Sequence, residues 1–303
     1  MFASAALAAV AQILPIVVPL GTPHNVERPR APIETAGPLF AYQCKDWDDY
    51  DKPAPPVRIF GNTYLVGTCG ISSILITDPA GDILIDGGTE NDADLIAANI
   101  KALGFQLTDI KYLLNSHEHY DHAGGLAKLQ RMTGAQLIAS PAAAAVISSG
   151  NASKDDPQFG VDRSFPPAHV DRLVGDGEQI RLGNTVLTAV STPGHTPGAL
   201  TWHWGSCQGG VCRQIVYADS LTPASDESYR FSDHPVYVAA FRASIAKVAA
   251  LPCDILLTPH PSASDMVNRL QRAKVESDNA CRDYAALRTK MLDDRLAKET
   301  APK

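Results

Sequence analysis

The chain reads as an α/β protein folded into a four-layer αββα sandwich. Three observations predict this. Short β-rich runs broken by glycine open the folded part, strand and helix patterns then alternate, and the second half repeats that order without any literal sequence repeat. Two halves that each carry a sheet with helices on its outer face can bury the two sheets against one another. At 303 residues, 45% hydrophobic and 19% charged, the chain is long enough for one large core.

The elements follow in order. VRIFGNTYLVG, SSILITD and DILID are strand-like runs of a meander. ENDADLIAANIKALG then changes period: Leu95, Ile96, Ile100 and Leu103 are spaced for a helix face, with acidic residues at the start and a glycine at the end. IKYLLNS predicts a buried strand, GLAKLQRMTG a helix stopped by glycine, and QLIAS another strand. In the second half EQIRL, TVLTAVST, ALTWHW and QIVYADS predict strands, YVAAFRASIAKVAAL a helix and DILLTPH a strand, with helical segments to the end.

Residues 1–21 are apolar and uncharged but interrupted by Pro15 and Pro19, which predicts a secretory signal peptide rather than a membrane helix. Residues 22–43 hold Pro23, Pro29, Pro32 and Pro38 and predict an extended arm. Residues 44–303 form the single folded domain. Six cysteines with no C-x-x-C pair support export, to the periplasm or the medium. Fifteen connectivities are possible. Sequential pairing is the simplest, because the gap in SCQGGVC suits a hairpin clasp. The formal charge of −7, without any basic run, argues against nucleic acid and against an anionic membrane as partner. A small molecule remains.

The chemistry is concentrated in NSHEHYDHAG. Here His117, His119, Asp121 and His122 fall within six positions of a chain with nine histidines. A chance match to H-x-H-x-D-H is on the order of one in a thousand. In an extended segment His117 and His119 point to the same side, while Asp121 and His122 follow at a turn, where they can serve a neighbouring site. Nitrogen and oxygen donors suit zinc, and a catalytic zinc keeps a position open. His195, in the rigid turn STPGHTPGAL, and His260, in LLTPHPSASD at a strand end, are candidate ligands from elsewhere in the chain.

H-x-H-x-D-H, P-G-H-T-P-G and T-P-H together resemble the metallo-β-lactamase superfamily of binuclear hydrolases, from about residue 44 onward. Within it the chain is similar to class B β-lactamases of the third subclass, because Ser220 in YADSL stands where the first subclass has a cysteine ligand. FGNTYLVGTCGIS, DPQF, CRQIVYADSLT and LTPHPSAS resemble the Adelaide imipenemase branch, whose three disulfides imply the pairs Cys44–Cys69, Cys207–Cys212 and Cys253–Cys281.

The resemblance implies two zinc ions per chain, the first held by His117, His119 and His195 and the second by Asp121, His122 and His260. A shared water of lowered pKa would attack the β-lactam amide of penicillins, cephalosporins and carbapenems and so confer antibiotic resistance, with Asp121 as the catalytic residue that orients it. Ser220 and Thr222 would hold the substrate carboxylate, and Gln158 would line the pocket edge. Asp86 would support a ligand from behind. A monomer is implied. Another hydrolase of the same fold, a glyoxalase-type thioesterase or a lactonase, would instead use Asp219 to bridge the metals. A zinc protein without catalysis fits less well, since such sites are usually closed by four protein ligands.

Overall fold

A computed structural model describes residues 30–45 and 49–301. The signal segment expected over 1–21 lies outside the described residues. Helix α1 (Ile33–Gln43) precedes a meander of β1 (Val57–Phe60), β2 (Thr63–Leu65), β3 (Ile74–Asp78) and β4 (Gly81–Ile85). Helix α2 (Asp92–Ala102) leads to β5 (Ile110–Leu114), and the short α3 (Tyr120–Ala123) and α4 (Leu126–Thr133) lead to β6 (Gln136–Ala139). Helix α5 (Pro141–Ser149) and β7 (Arg172–Leu173) complete the first half. Its seven strands lie in the order β1 to β7, antiparallel through β4 and parallel from there.

The second half runs β8 (Gln179–Leu182), β9 (Thr185–Ser191), β10 (Leu200–Gln208), β11 (Val211–Tyr217), α6 (Pro235–Ala250), β12 (Ile255–Leu257), α7 (Met266–Gln271) and α8 (Ala280–Thr300). Its sheet has the order β12-β11-β10-β9-β8.

Side-chain alternation shows why these sheets stack. Ile74, Ile76, Ile83 and Ile85 face the second sheet, where Trp202, Trp204, Ile215, Tyr217, Ile255 and Leu257 meet them in one buried cluster. Leu75 and Leu84, one residue out of phase, pack with Ile96 and Ile100 of α2 and Leu126 and Leu129 of α4. On the far side Val216 and Leu256 pack against Phe241 and Ile245 of α6 and Tyr284 and Leu292 of α8. Helix, sheet, sheet and helix are therefore the four layers the sequence predicts.

Helices α1 and α5 differ from the expectation, and the two-residue β7 was not predicted. Residues 33–43 form a helix where an extended arm was predicted. The prolines masked its period: Ala36, Gly37, Phe40 and Ala41 share one buried face, and Pro38 sits within the helix at the loss of a single ladder bond. A Cβ on Gly37 would lie 2.5 Å from the Leu270 carbonyl oxygen, so glycine permits this close contact with α7. The second is α5, which the sequence reading did not propose. Its signals are present: Ser140 caps it through Ala143 N at 3.2 Å, proline occupies the first turn, and Gly150 ends it at φ 70°.

No helix among the described residues is long and apolar enough to cross a membrane. Three disulfides join Cys44 to Cys69, Cys207 to Cys212 and Cys253 to Cys281. The first and third close loops worth about 3 kcal/mol or more each in the chain-entropy picture. Reduction is therefore expected to lower Tm by several degrees while leaving bound zinc in place, measured by calorimetry and metal analysis on one sample; release of zinc on reduction would contradict it.

Asp82 offers a second test. It is 4% exposed at the start of β4, and its Oδ2 is buried without a partner. Burial, aided by the nearby charge of Asp109, raises its pKa from 3.8 to about 6. A carboxyl that binds its proton more tightly when folded stabilises the fold below pH 3.8, and that stability is lost as pH rises through about 6. Asp82→Asn should thus gain up to about 2 kcal/mol over the parent at pH 7, and little near pH 3.5, in denaturant titrations.

Candidate metal centre

The apolar strand β5 delivers the metal loop at the carboxyl ends of the parallel strands. Beyond Leu114 the chain is fastened from across the sandwich. Trp202 Nε1 donates to the Asn115 carbonyl at 2.9 Å, and Leu200 N donates to the Ser116 carbonyl at 2.7 Å. His119 then stands at the start of α3, its carbonyl accepting from His122 N and Ala123 N. The His195 turn comes close for a steric reason: a Cβ on Gly194 would lie 2.3 Å from the Phe241 ring.

The structure brings all six predicted ligands together. His117, His119 and His195 each offer a ligand atom, all within 4.8 Å of one another, and the same holds for His117, Asp121 and His122. His260 completes the second set. Asp121 Oδ2 is 3.3 Å from His122 Nε2 and 3.5 Å from His260 Nε2, and the two imidazole nitrogens are 3.4 Å apart. A tetrahedral site with bonds of about 2.0–2.1 Å has ligand–ligand edges of about 3.3 Å. These three atoms fit that edge.

Each histidine is gripped by its other nitrogen. His117 Nδ1 lies 2.9 Å from Asp219 Oδ1, His119 Nε2 bonds Asp156 Oδ2 at 3.1 Å, and His195 Nδ1 donates to the Thr222 carbonyl at 2.9 Å. His260 Nδ1 donates to the Gly70 carbonyl at 3.2 Å, and His122 Nδ1 faces Asp86 Oδ2 more loosely at 3.5 Å. The inner nitrogen of His117, Nε2, is buried and has no partner among the described atoms. Five imidazoles converge, four of them with a polar partner within 3.2 Å on the outer nitrogen and His122 with only the looser Asp86 contact, an arrangement that orients metal ligands.

Charges follow the same geometry. Burial disfavours a charged His119, but Asp156 outweighs it and holds its pKa up at about 9. Burial likewise opposes a charge on His122, yet Asp121 and Asp86 raise it to about 10. Burial and the neighbouring His122 push His260 down to about 4. Burial would raise Asp121, but the charge and hydrogen bond of His122 keep it well below the usual carboxylate range. Asp121 is an anion.

Asp86 takes a left-handed backbone, φ 67°, and accepts from Ser116 N at 2.6 Å, Ser116 Oγ at 2.7 Å and Tyr217 OH at 2.6 Å. Ser220 Oγ is buried without a partner, Thr222 Oγ1 donates to the Ser220 carbonyl at 3.1 Å, and Gln158 Nε2 is also buried and unpartnered. Sequence reasoning missed Asp156, although it lies two residues before Gln158, and it missed Glu118. Glu118 accepts from Thr196 Oγ1 at 2.7 Å and Gly198 N at 2.8 Å and so ties the His195 turn to the metal loop. Its position between two ligands was the available signal.

The pattern of the metallo-β-lactamase superfamily matches residues 66–260. The chain belongs to that superfamily. The metallo-β-lactamase fold is shared with MIM-2 metallo-β-lactamase at 54% identity, over 88% of this chain and 99% of that one, with a TM-score of 0.85. The metallo-β-lactamase MIM-1 from Novosphingobium pentaromativorans is 47% identical over 86% and 97% of the two chains, TM-score 0.84. MEM-A1, a subclass B3 metallo-β-lactamase from a soil metagenome library, is 44% identical over 84% and 100%, TM-score 0.81. Among curated proteins, a hydroxyacylglutathione hydrolase of Bradyrhizobium sp. is 32% identical over 190 residues, 60% of this chain and 59% of that protein. One of Polaromonas sp. is 33% identical over 137 residues, 45% and 41%. The chain thus spans about half the length of the curated relatives it matches. As in its superfamily, the histidine-rich cluster is a metal-binding site for a hydrolase.

The grip of Asp156 on His119 is testable. Asp156→Asn keeps an acceptor for Gln158 N, which now bonds Asp156 Oδ1 at 2.7 Å, but removes the charge behind the ligand. Zinc affinity, measured by competition with a chromophoric chelator, should fall about 10- to 100-fold with little change in Tm; an unchanged affinity would remove Asp156 from the site.

Proposed function

We propose that the chain is a zinc-dependent β-lactamase with two zinc ions, the first on His117, His119 and His195 and the second on Asp121, His122 and His260. The observation that carries this reading is the position of Asp219. Its Oδ1 lies against the outer nitrogen of His117 and its Oδ2 accepts from Leu221 N, so the carboxylate is engaged behind a ligand rather than between two sites. A bridging aspartate is what the thioesterase reading requires. The similarity to MIM-2, MIM-1 and MEM-A1 over nearly their whole length supports the lactamase reading independently.

When bound, zinc supplies Lewis acidity and makes a water nucleophilic near neutral pH. The protein does the rest. Hydrolysis adds water across the lactam amide: the carbonyl carbon gains an oxygen, the C–N bond breaks and the freed nitrogen takes up a proton. Asp121, buried and held as an anion by His122, would orient the attacking water. Ser220 Oγ, which has no partner within the protein, and Thr222 Oγ1 are hydroxyls for the substrate carboxylate, with Gln158 Nε2 at the pocket edge. Asp86 holds the metal loop in place through Ser116 and faces His122 across 3.5 Å.

Three disulfides support export to the periplasm or medium, and a monomer acting on penicillins, cephalosporins and carbapenems, with resistance as the outcome, is the accompanying reading. The net charge of −7 without a basic run supports a small-molecule substrate rather than nucleic acid. A second reading, a thioesterase, draws on the hydroxyacylglutathione hydrolases among the curated relatives.

Purified protein should hydrolyse a carbapenem and a penicillin. A strong chelator should cut turnover by at least about a hundredfold, added zinc should restore it, and metal analysis should find about two zinc ions per chain. Two bound zinc ions with every β-lactam intact and a glutathione thioester cleaved would replace this reading with the second.

A further inference from the structure

Two arginines of α8 reach the segment that follows β11, and only one of them is neutralised. Arg295 bonds Glu299 one turn on, together with Ser225 Oγ and the Tyr229 carbonyl. Arg288, two turns earlier on the same helix face, is 4% exposed. Its Nη1 donates to Thr222 Oγ1 at 3.1 Å and meets Met291 Sδ at 3.2 Å, and its guanidinium carbon lies 4.5 Å from the centre of the Tyr284 ring. Its Nε is buried with no partner, and among the described residues no carboxylate lies within 4.0 Å of it.

A guanidinium does not give up its proton, and an unpaired charge in the interior is costly. The protein leaves that charge directly behind the hydroxyl of Thr222. At present Thr222 gives its hydrogen to the Ser220 carbonyl at 3.1 Å while its oxygen accepts from Arg288. If the hydrogen turns outward, the Arg288 bond is kept, and a hydroxyl that accepts from a cation is a stronger donor. Ser220 Oγ, buried and free, supplies a second donor. The ligand that satisfies both hydroxyls and offsets the arginine is a carboxylate.

We propose that Arg288 is a positioning residue that acts through Thr222, without touching the substrate, to make the site select lactams that carry a free carboxylate. The proposal rests on the lactamase reading above.

The test compares a penicillin with its methyl ester on the zinc-loaded protein. Arg288→Met should lower kcat/KM for the free acid about tenfold or more, mostly through KM, and leave that for the ester unchanged. Arg288→Lys should recover most of the loss. Arg288→Gln, which keeps a donor for Thr222 without the charge, stands in if Arg288→Met fails to fold, with the same acid-selective loss expected. Equal losses for acid and ester, or no loss in either neutral variant, would overturn the role of Arg288 while leaving the lactamase reading intact. Absence of acid and ester turnover by the parent protein would overturn that reading, and this proposal with it.

Discussion

The carboxylate of Asp86 joins the two sheets at the edge where the metal loops emerge. It ends β4 in the first sheet, receives both the amide and the hydroxyl of Ser116 just beyond β5, and accepts from Tyr217 at the end of β11 in the second sheet. Its left-handed backbone costs about 1–3 kcal/mol, which the three hydrogen bonds to its side chain offset at about 0.5–1.5 kcal/mol each. Burial, with the adjacent Asp86 charge, keeps the Tyr217 phenol protonated and therefore a donor. Asp86 thereby gives one shared reference to the loop that carries His117 and to the strand end that precedes Ser220. The strain at Asp86 is the local counterpart of that requirement.

From this junction the site is built outward in pairs, an inner donor and an outer grip. The grips come from distant parts of the chain: Asp156 from the loop after α5, Asp219 from the end of β11, Thr222 from the segment beyond, Gly70 from the meander. Glu118 adds a link between two ligand loops, and burial pushes its carboxyl up to about 7. A displacement in any of these segments is therefore passed to a histidine ring through a single polar contact. Packing alone would not aim an imidazole this tightly; a hydrogen bond fixes both ring orientation and tautomer.

The sequence reveals what local chemistry determines and conceals what the fold brings together. Strand alternation and helix period made every strand but β7, and the main helices, legible, because those signals repeat within a few residues. The six proposed ligands could be picked out because H-x-H-x-D-H is dense and because His195 and His260 stand in proline-bounded turns. Helix α1 was not, since Pro38 suggested extension while the Phe40 face became meaningful only against Leu270 of α7. The pairing of Asp156 with His119 spans 37 residues, and that of Arg288 with Thr222 spans 66. No local period announces either contact.

The same distances explain why the stabilising and chemical parts of the molecule cannot be separated. Cys281 lies at the start of α8 and is tied to Cys253 just before β12. One turn along, Tyr284 donates to the carbonyls of Asp219 and Ser220 at 2.6 and 2.7 Å, and a further turn along Arg288 reaches Thr222. The turn that grips His117 and His195 is thus held by a helix whose start is covalently fixed beside the strand leading to His260. The cross-link serves stability and also limits where the last helix can place its hydrogen bonds. Because those bonds end on the segment that carries Ser220 and Thr222, the Cys253–Cys281 link restrains the two hydroxyls proposed for the substrate while leaving the proposed metal ligands chemically untouched.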